Sequence, residues 1–325
     1  MYRNSARPKD SERLRVAFFG TSDRSVPILE TLQQNFDLAL CVTKCDVRTG
    51  RHRELKECGV KVWAKNNGVP YIEIGDFQAE NVKKVINGVD ELKIKVGVTA
   101  DFSFMVPQKV IDAFEHKILN IHFSLLPKYR GASPVQFAIL NGDKETGITY
   151  YLMDAKMDTG NIVHQEKYAL PEGETAVDAY KRLFAEAGKG LEKVINEYIS
   201  GSIIPYSQDH SKATYTYSKS CPDNTHVFKD DAKIDWETPI ESIYNSIRAY
   251  NPWPISWTTA GELEKKYLKN LHLEFKNNIG NKEARVLIFG GSMQEGGLII
   301  NSLQLEGARV MLWKDFKNGY LSETG

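Results

Sequence analysis

The stretch "RVAFFGTS", from Arg15 to Ser22, joins a short apolar run to a Gly-Thr-Ser turn. A helix-like segment follows it to about Gln34, and a second apolar run occupies Leu38–Val42. A strand, a helix and another strand in this order form the unit from which parallel sheets are assembled. The stretch therefore predicts an α/β fold.

The same alternation continues along the chain to the end of a long amphipathic helix. Because helices alternate with strands, we expect a Rossmann-like, doubly wound and mainly parallel sheet with helices on both faces. The segments that carry the pattern are helix-like at Asn81–Ile86 and Glu174–Ile199, and strand-like at Ile94–Val98, Ile118–Ile121, Ile148–Leu152 and Ile162–His164.

The pattern changes after Gly201. A polar stretch at Pro205–Ser211 indicates a linker, and a helix at about Pro239–Tyr250 follows it. Short β-like runs separated by glycines then indicate a small barrel or sandwich. The runs are Val286–Phe289, Leu298–Ile300 and Val310–Leu312. We expect a disordered leader at residues 1–13, a first domain at 14–203, a linker at 204–212 and a β-rich domain at 213–325.

Composition limits the classes of function. The chain has 325 residues with 42 Lys and Arg against 42 Asp and Glu, so a nucleic-acid-binding surface must be a local basic patch. It has no run of about 18 apolar residues that would span a membrane, and its first residues lack the apolar segment of a secretory signal. Cys41, Cys45, Cys58 and His52 raise the question of zinc, but they include no C-x-x-C pair. We therefore expect no metal site.

Polar residues follow several predicted strands, at the edge where open α/β sheets bind ligands. No G-x-G-x-x-G or P-loop motif follows the first strand, which disfavours a dinucleotide cofactor and a P-loop enzyme. Asn120 and His122 are two positions apart in one strand, so their side chains point to the same side and Ile121 packs on the other. Asp154 or Asp158, after a neighbouring strand, could reach the histidine. A D-T-G turn with a capping aspartate is the alternative, and residue types alone leave these readings open.

Several segments at these strand ends together resemble the formyltransferases that use 10-formyltetrahydrofolate. The segments are Asn120–Pro127, Tyr129–Ala132, Met153–Asp154 and Met157–Gly160. One such segment alone would be a hypothesis, whereas the set is specific.

The resemblance implies roles for individual residues. The family's catalytic Asn, His and Asp fall on Asn120, His122 and Asp158. In an acyl transfer, Asn120 is expected to donate a hydrogen bond to the oxyanion, His122 to relay a proton, and Asp158 to orient the imidazole. The implied formyl donor is 10-formyltetrahydrofolate, and the reaction requires no metal. The Ser-Leu-Leu-Pro segment that lines the family's folate site falls on Ser124, Leu125, Leu126 and Pro127.

The second half of the chain is similar to the carboxy-terminal domain of methionyl-tRNA formyltransferases. The similarity rests on Ile234–Trp236, Ile247–Trp257 and Leu303–Gly307. In that family an OB-like β-barrel helps to hold the tRNA. The resemblance therefore implies formylation of methionyl-initiator tRNA for translation initiation. We expect a monomer with no membrane partner, in the bacterial cytoplasm or, as the alternative, in an organelle matrix.

Two segments depart from the family's pattern. Thr43–Arg53 replaces a Gln-Pro-Asp and a Gly- and Arg-rich loop, but residues 44–61 keep six Lys and Arg against three Asp and Glu. Gly50-Arg51 matches the family's functional Gly-Arg, so the resemblance implies that Arg51 binds tRNA, whereas charge alone would indicate a solvated loop. Asp101–Pro107 replaces a Tyr-Gly segment expected near the pterin, so its folate contacts are not implied by the resemblance.

Two other functions stay open. A sugar-nucleotide N-formyltransferase, or another enzyme that uses 10-formyltetrahydrofolate, would share Asn120, His122 and Asp158. It would not be expected to keep the basic loop together with the NPWPISW segment. A non-catalytic RNA-binding protein on the same scaffold is favoured only by the altered segment Asp101–Val106, and the intact catalytic set opposes it.

Overall fold

The computed structural model describes residues 13–49, 54–276, 281–294 and 297–324. The expected leader, apart from its last residue, lies outside these ranges, as does Arg51 of the basic loop. Within them, no helix is both long enough and apolar enough to cross a membrane.

The chain divides into two compact units that take interleaved segments of sequence. The amino-terminal unit contains the described residues up to Arg130, Gly147–Lys167 and Tyr180–Thr214. The carboxy-terminal unit contains Gly131–Thr146, Tyr168–Ala179 and the described residues from Tyr215 onward. Two segments inside the expected first domain therefore group with the carboxy-terminal unit.

The amino-terminal half is organised around one large sheet. Its strands are β1 (Arg15–Phe19), β2 (Asp37–Lys44), β3 (Val47–Thr49), β4 (Glu54–Lys56), β5 (Tyr71–Ile74), β6 (Val96–Thr99), β7 (Ile118–His122), β8 (Glu145–Leu152) and β9 (Ile162–Ala169). The sheet has seven strands in the order β5-β2-β1-β6-β7-β8-β9, and β3 pairs with β4 in a separate antiparallel hairpin. The pairs β2–β5, β1–β2, β1–β6 and β6–β7 are parallel, and β7–β8 is antiparallel. The mainly parallel sheet predicted from the sequence is confirmed.

The central strands are buried along their length. Residues Val16–Phe19 of β1 and Val96–Thr99 of β6 are all buried, although successive side chains point to opposite faces of the sheet. Both faces are therefore covered, as continuous apolar strands of parallel sheets require.

Helices follow most of the strands. In chain order they are α1 (Val26–Asn35), α2 (Gly59–Asn67), α3 (Ala79–Glu91), α4 (Gln108–Ile111), α5 (Pro134–Leu140), α6 (Ala176–Ile199), α7 (Ile240–Ala249), α8 (Ala260–Lys266) and α9 (Trp313–Tyr320). Periodicity predicted α1, α3, α6 and α7. The helix α2 ends at Gly68, whose φ of 66° is left-handed and lets its amide bond to the Ala64 carbonyl.

The carboxy-terminal unit contains antiparallel β-structure. Its strands are β10 (Ser256–Thr259), β11 (Leu273–Phe275), β12 (Arg285–Gln294), β13 (Gly297–Leu305), β14 (Met311–Leu312) and β15 (Leu321–Glu323). A four-stranded sheet runs β10-β12-β13-β14, and β11 pairs with β15. Ile288, Ile300, Leu303 and Phe316 are fully buried in its core. The second, β-rich domain predicted from short apolar runs and glycine turns is therefore confirmed.

Candidate active site

Asn120 and His122 lie at the carboxyl end of β7 and face the same side of the sheet. In the pairing of β7 with β8, Asn120 lies opposite Tyr151 and His122 lies opposite Thr149. Ile121, between them, is 2% exposed and packs on the other face. The strand pairing thus adds Tyr151 and Thr149 to the side on which the two predicted residues lie.

Asp158 is the aspartate that reaches this site. It lies in the loop between β8 and β9, with a left-handed φ of 54°, and its Oδ2 is 3.8 Å from Nδ1 of His122. Asp154 closes the loop instead, because it accepts hydrogen bonds from the Thr159 hydroxyl at 2.7 Å and from the Lys156 amide at 3.0 Å. The structure thereby separates two aspartates that residue types left equivalent.

Tyr151 joins the amide and the carboxylate. Its hydroxyl donates to Oδ1 of Asp158 at 2.7 Å and accepts from Nδ2 of Asn120 at 2.7 Å. Burial, and next the negative charge of Asp158, raise the pKa of Tyr151 well above its ordinary value. The hydroxyl therefore keeps its proton at neutral pH and acts as the donor to Asp158.

The orientation of His122 follows from a second contact. Its Nε2 lies 2.9 Å from the backbone carbonyl of Tyr129, and a carbonyl can only accept. Nε2 must therefore carry a hydrogen, and Nδ1 is the ring nitrogen that faces Asp158. Tyr129 has a left-handed φ of 59°, an uncommon conformation for a bulky residue, and this conformation sets the direction of its carbonyl.

A buried glutamine from the expected linker holds the Asp158 loop. Gln208 is 5% exposed, and its Nε2 donates to the carbonyls of Asp158 at 2.9 Å and Gly160 at 2.8 Å. Its Oε1 accepts from Arg130 at 2.7 Å, and Arg130 also contacts Nδ1 of His210 at 2.8 Å. The stretch 204–212 therefore contributes a structural contact to the site as well as a connection.

The predicted folate segment forms the turn directly after β7. Ser124 is fully buried, and its hydroxyl donates to the Lys128 carbonyl at 2.6 Å. Leu126 is 4% exposed, and its carbonyl accepts from Gln165 at 3.1 Å. Leu125 and Pro127 are half-buried. Ser124 and Leu126 thus shape the turn, whereas Leu125 and Pro127 retain exposed surface.

The segment that departs from the family forms an aromatic cluster and an ion pair. The rings of Phe102 and Phe104 meet edge to face at 5.5 Å. Asp101, with a left-handed φ of 52°, forms an ion pair with Arg24 at 2.6 Å. The Arg24 guanidinium also lies 4.6 Å from the centre of the Tyr180 ring. The sequence change is therefore accommodated by packing and by a compensated charge.

The chain matches a family of known proteins. The family model described as "Formyl transferase" matches residues 14–195, and the model of its C-terminal domain matches residues 226–321. The first match covers more than half of the chain. This chain belongs to the formyl transferase family.

Individual relatives indicate which members of the family the chain resembles. It is 36% identical over 254 residues to the methionyl-tRNA formyltransferase of Geobacillus sp. (strain WCH70), which covers 78% of this chain and 76% of the relative. It is 31% identical over 313 residues to that of Bacillus velezensis, which covers 94% of each chain. The N-formyltransferase of Helicobacter canadensis, solved with folinic acid and dTDP-3-aminofucose, shares the fold, with a TM-score of 0.59, 20% identity and coverage of 92% and 98%. The formyl transferase is therefore an enzyme, and it resembles the methionyl-tRNA group over nearly its whole length.

Tyr151 and Gln208 are not among the site residues that the sequence predicted. Tyr151 belongs to an apolar run in the sequence, and only its position opposite Asn120 brings its hydroxyl to the site. Gln208 is separated by fifty residues from Asp158, and nothing in the polar stretch around it distinguishes a buried glutamine from a solvated one. β8 is buried from Thr146 to Tyr151, so no alternation of buried and exposed positions distinguishes Tyr151 in the sequence.

Proposed function

We propose that this chain transfers a formyl group from 10-formyltetrahydrofolate to the amino group of methionyl-initiator tRNA for translation initiation. The observation that carries the proposal is the convergence of Asn120, His122 and Asp158 at one edge of the sheet. The 31% identity over 94% of the chain to a methionyl-tRNA formyltransferase supports this acceptor over a sugar nucleotide.

The residues at this edge suit a folate formyl donor. The folate supplies an activated formyl group on a ring-bound nitrogen. Leu125 and Pro127 offer half-buried apolar surface beside the polar groups, a combination typical of small-molecule sites. We propose that the turn Ser124–Pro127 lines the folate, with Ser124 and Leu126 fixing its shape.

Each catalytic side chain has a distinct proposed role. Asn120 keeps a second N–H beyond the one bound to Tyr151, and this N–H stabilises the oxyanion that forms at the formyl carbon. Nδ1 of His122 exchanges the proton that moves between the attacking amine and the leaving nitrogen. Asp158 faces Nδ1 and stabilises the imidazole when it is charged.

A direct assay tests the proposed function. The chain is incubated with 10-formyltetrahydrofolate and initiator tRNA charged with methionine, and the product is examined for formyl-methionine. Formylation of the tRNA is the expected result. Formylation of an amino-sugar nucleotide under the same conditions, with none on the tRNA, would establish the alternative enzyme. Binding of tRNA without any formylation would indicate a non-catalytic protein.

The site assignment makes its own prediction. His122→Ala and Asp158→Asn should each lower turnover by about 10²–10⁴-fold, the range typical of lost general acid–base catalysis. Asn tolerates the left-handed φ of position 158, so the second variant keeps the loop conformation. Single-turnover kinetics and tRNA binding are measured together. Turnover close to wild type in either variant, with tRNA affinity unchanged, would refute the assignment.

We further propose that the basic loop, through Arg51, and the carboxy-terminal unit bind the tRNA. The charge of the loop supports this role, because Lys and Arg side chains neutralise RNA phosphates. We propose that the enzyme works as a monomer in the cytoplasm, where it meets both substrates.

A further inference from the structure

Lys61, in the first turn of α2, contacts three carboxylates. It is 7% exposed, and its Nζ lies 2.8 Å from Asp46, 2.8 Å from Glu73 and 3.4 Å from Glu57. Lysine is almost never this buried unless it is paired. Hydrogen bonds from Lys61 to Asp46, and next to Glu73, raise the pKa of Lys61, so its ammonium stays charged at neutral pH.

Two of the three carboxylates flank the β3–β4 hairpin, and the third lies in strand β5. Asp46 immediately precedes β3, and Glu57 immediately follows β4. Glu73 lies in β5, at the edge of the seven-stranded sheet. One ammonium group therefore joins the beginning and the end of the β3–β4 hairpin to the sheet.

Apolar packing holds the described part of the hairpin only weakly, and its base is tied to the sheet by the Cys45 amide, which donates to the Ile74 carbonyl at 3.1 Å, as well as by Lys61. It consists of the residue pairs Val47–Lys56, Arg48–Leu55 and Thr49–Glu54. Val47 is 41% exposed and Leu55 is 61% exposed, so apolar burial contributes little. An isolated two-stranded hairpin is at best marginally stable in water. A hairpin in this situation needs an anchor at its base.

Asp46 is held in place by its contact with Lys61. Its Oδ1 is buried and has no hydrogen-bond partner among the described residues, while Oδ2 contacts Lys61. The contact of Oδ2 with Lys61 at 2.8 Å therefore holds this side chain at the base of the hairpin.

We propose that Lys61 is a positioning residue that fixes the base of the β3–β4 hairpin against the sheet and thereby presents this basic element to tRNA phosphates. The inference rests on the proposed function, since it assigns a role to a loop that is proposed to bind tRNA. Lys61 itself touches no substrate.

Lys65→Met is the matched control for Lys61→Met. Lys65 lies one turn later in α2 and forms an ion pair with Glu57 alone among the carboxylates of the described residues. It therefore contacts one end of the hairpin only, whereas Lys61 contacts both ends and the sheet. Lys61→Arg keeps the charge and the donors, and it should preserve the behaviour of the wild type.

Two measurements on the full chain test the inference. Lys61→Met should raise hydrogen-exchange rates of β3 and β4 amides by about tenfold or more, the effect of losing a charged hydrogen bond. It should raise the KM for methionyl-tRNA by about tenfold while kcat and the KM for folate stay within about twofold. Lys65→Met should change none of these values by more than about twofold.

Several outcomes would overturn the inference. They are unchanged exchange in Lys61→Met, equal effects of Lys61→Met and Lys65→Met, or a loss confined to kcat. Where Lys61→Met fails to fold, Glu73→Met serves instead, because it removes the acceptor on β5 and keeps the lysine. Unchanged hairpin exchange in that variant overturns the inference. If the wild type formylates no tRNA, the proposed function fails, and the exchange rates still decide whether Lys61 anchors the hairpin.

Discussion

At the residue scale, hydrogen bonds within the site orient its polar side chains. Tyr151 binds one N–H of Asn120 and Oδ1 of Asp158, and the Tyr129 carbonyl binds Nε2 of His122. Under the proposed function, the second N–H of Asn120 and Nδ1 of His122 are the atoms that act on the substrate. Because these groups are ordered before substrate binds, little reorganisation is needed during the reaction.

Tyr151→Phe tests this ordering. The variant should lower kcat by about tenfold or more, because a hydrogen bond to a charged group contributes about 1.5–3 kcal/mol. Phe fills nearly the same space in a site that is 2% exposed, so the thermal midpoint and the KM for tRNA should stay near the wild type. Steady-state kinetics measure the effect. An unchanged kcat would mean that Asn120 and Asp158 hold their positions without the hydroxyl.

At the element scale, the loop from β8 to β9 positions Asp158. A Cβ added at Gly160 would lie 1.7 Å from the Leu152 carbonyl oxygen, so the D-T-G turn requires glycine there because of a close approach. Gln208 then ties the loop at two carbonyls. The position of the Asp158 carboxylate therefore depends on the whole loop and on Gln208.

Gln208→Glu separates these contributions. Glu has the same size and can still accept from Arg130, but as a carboxylate it cannot donate to the carbonyls of Asp158 and Gly160. We expect kcat to fall by about tenfold, because buried acceptors lose their donor. Asp209→Asn, in the same stretch, is the matched control, since Asp209 contacts Ser211 and Lys212 near the surface. Equal kcat in the two variants would contradict the role of Gln208.

Another element is fixed by a buried carboxylate in the carboxy-terminal unit. Asp231 is 7% exposed and accepts from the amides of Ser220 and Phe228, both at 2.7 Å. Burial alone would raise its pKa, but the hydrogen bonds from the backbone of Ser220 and Phe228 and from the side chains of Ser218 and Ser220 together outweigh burial and lower the pKa of Asp231. The carboxylate thus joins Ser220 to the turn that follows Phe228.

Asp231→Asn should destabilise the protein by about 2 kcal/mol at pH 7, because an amide replaces a charged acceptor. The folded pKa lies below the unfolded value, so the carboxylate's contribution is present above the unfolded pKa and is lost as the pH falls through the folded one. The unfolding temperature of Asp231→Asn should therefore lie below that of the wild type at pH 7, and the difference should narrow below about pH 4. A gap of constant size across this range would contradict the linkage.

At the scale of the whole molecule, charge is balanced between 42 basic and 42 acidic residues. The local excess lies in residues 44–61, where six Lys and Arg face three Asp and Glu. Under the proposed function, this local charge would direct tRNA to the basic loop.

The salt dependence of tRNA binding should reflect this local charge. About three phosphates would neutralise the three excess positive charges. The logarithm of the tRNA binding constant should then fall with the logarithm of the salt concentration, with a slope of about −2 to −3. Titrations of tRNA binding between about 50 and 200 mM salt measure the slope. A slope near about −8 would mean that a much wider basic surface contacts the RNA.

The sequence by itself determined the fold class, the second β-rich domain and the two residues Asn120 and His122 on one side of a strand. These features depend on local periodicity and motifs, which neighbouring residues carry. The tertiary structure alone decided that Asp158 and not Asp154 meets His122, that Tyr151 bridges the site, and that Lys61 joins both ends of the hairpin. Asn120 and Tyr151 are 31 positions apart, and Gln208 and Asp158 are 50 apart. Such contacts depend on strand pairing and loop packing, which no local pattern specifies.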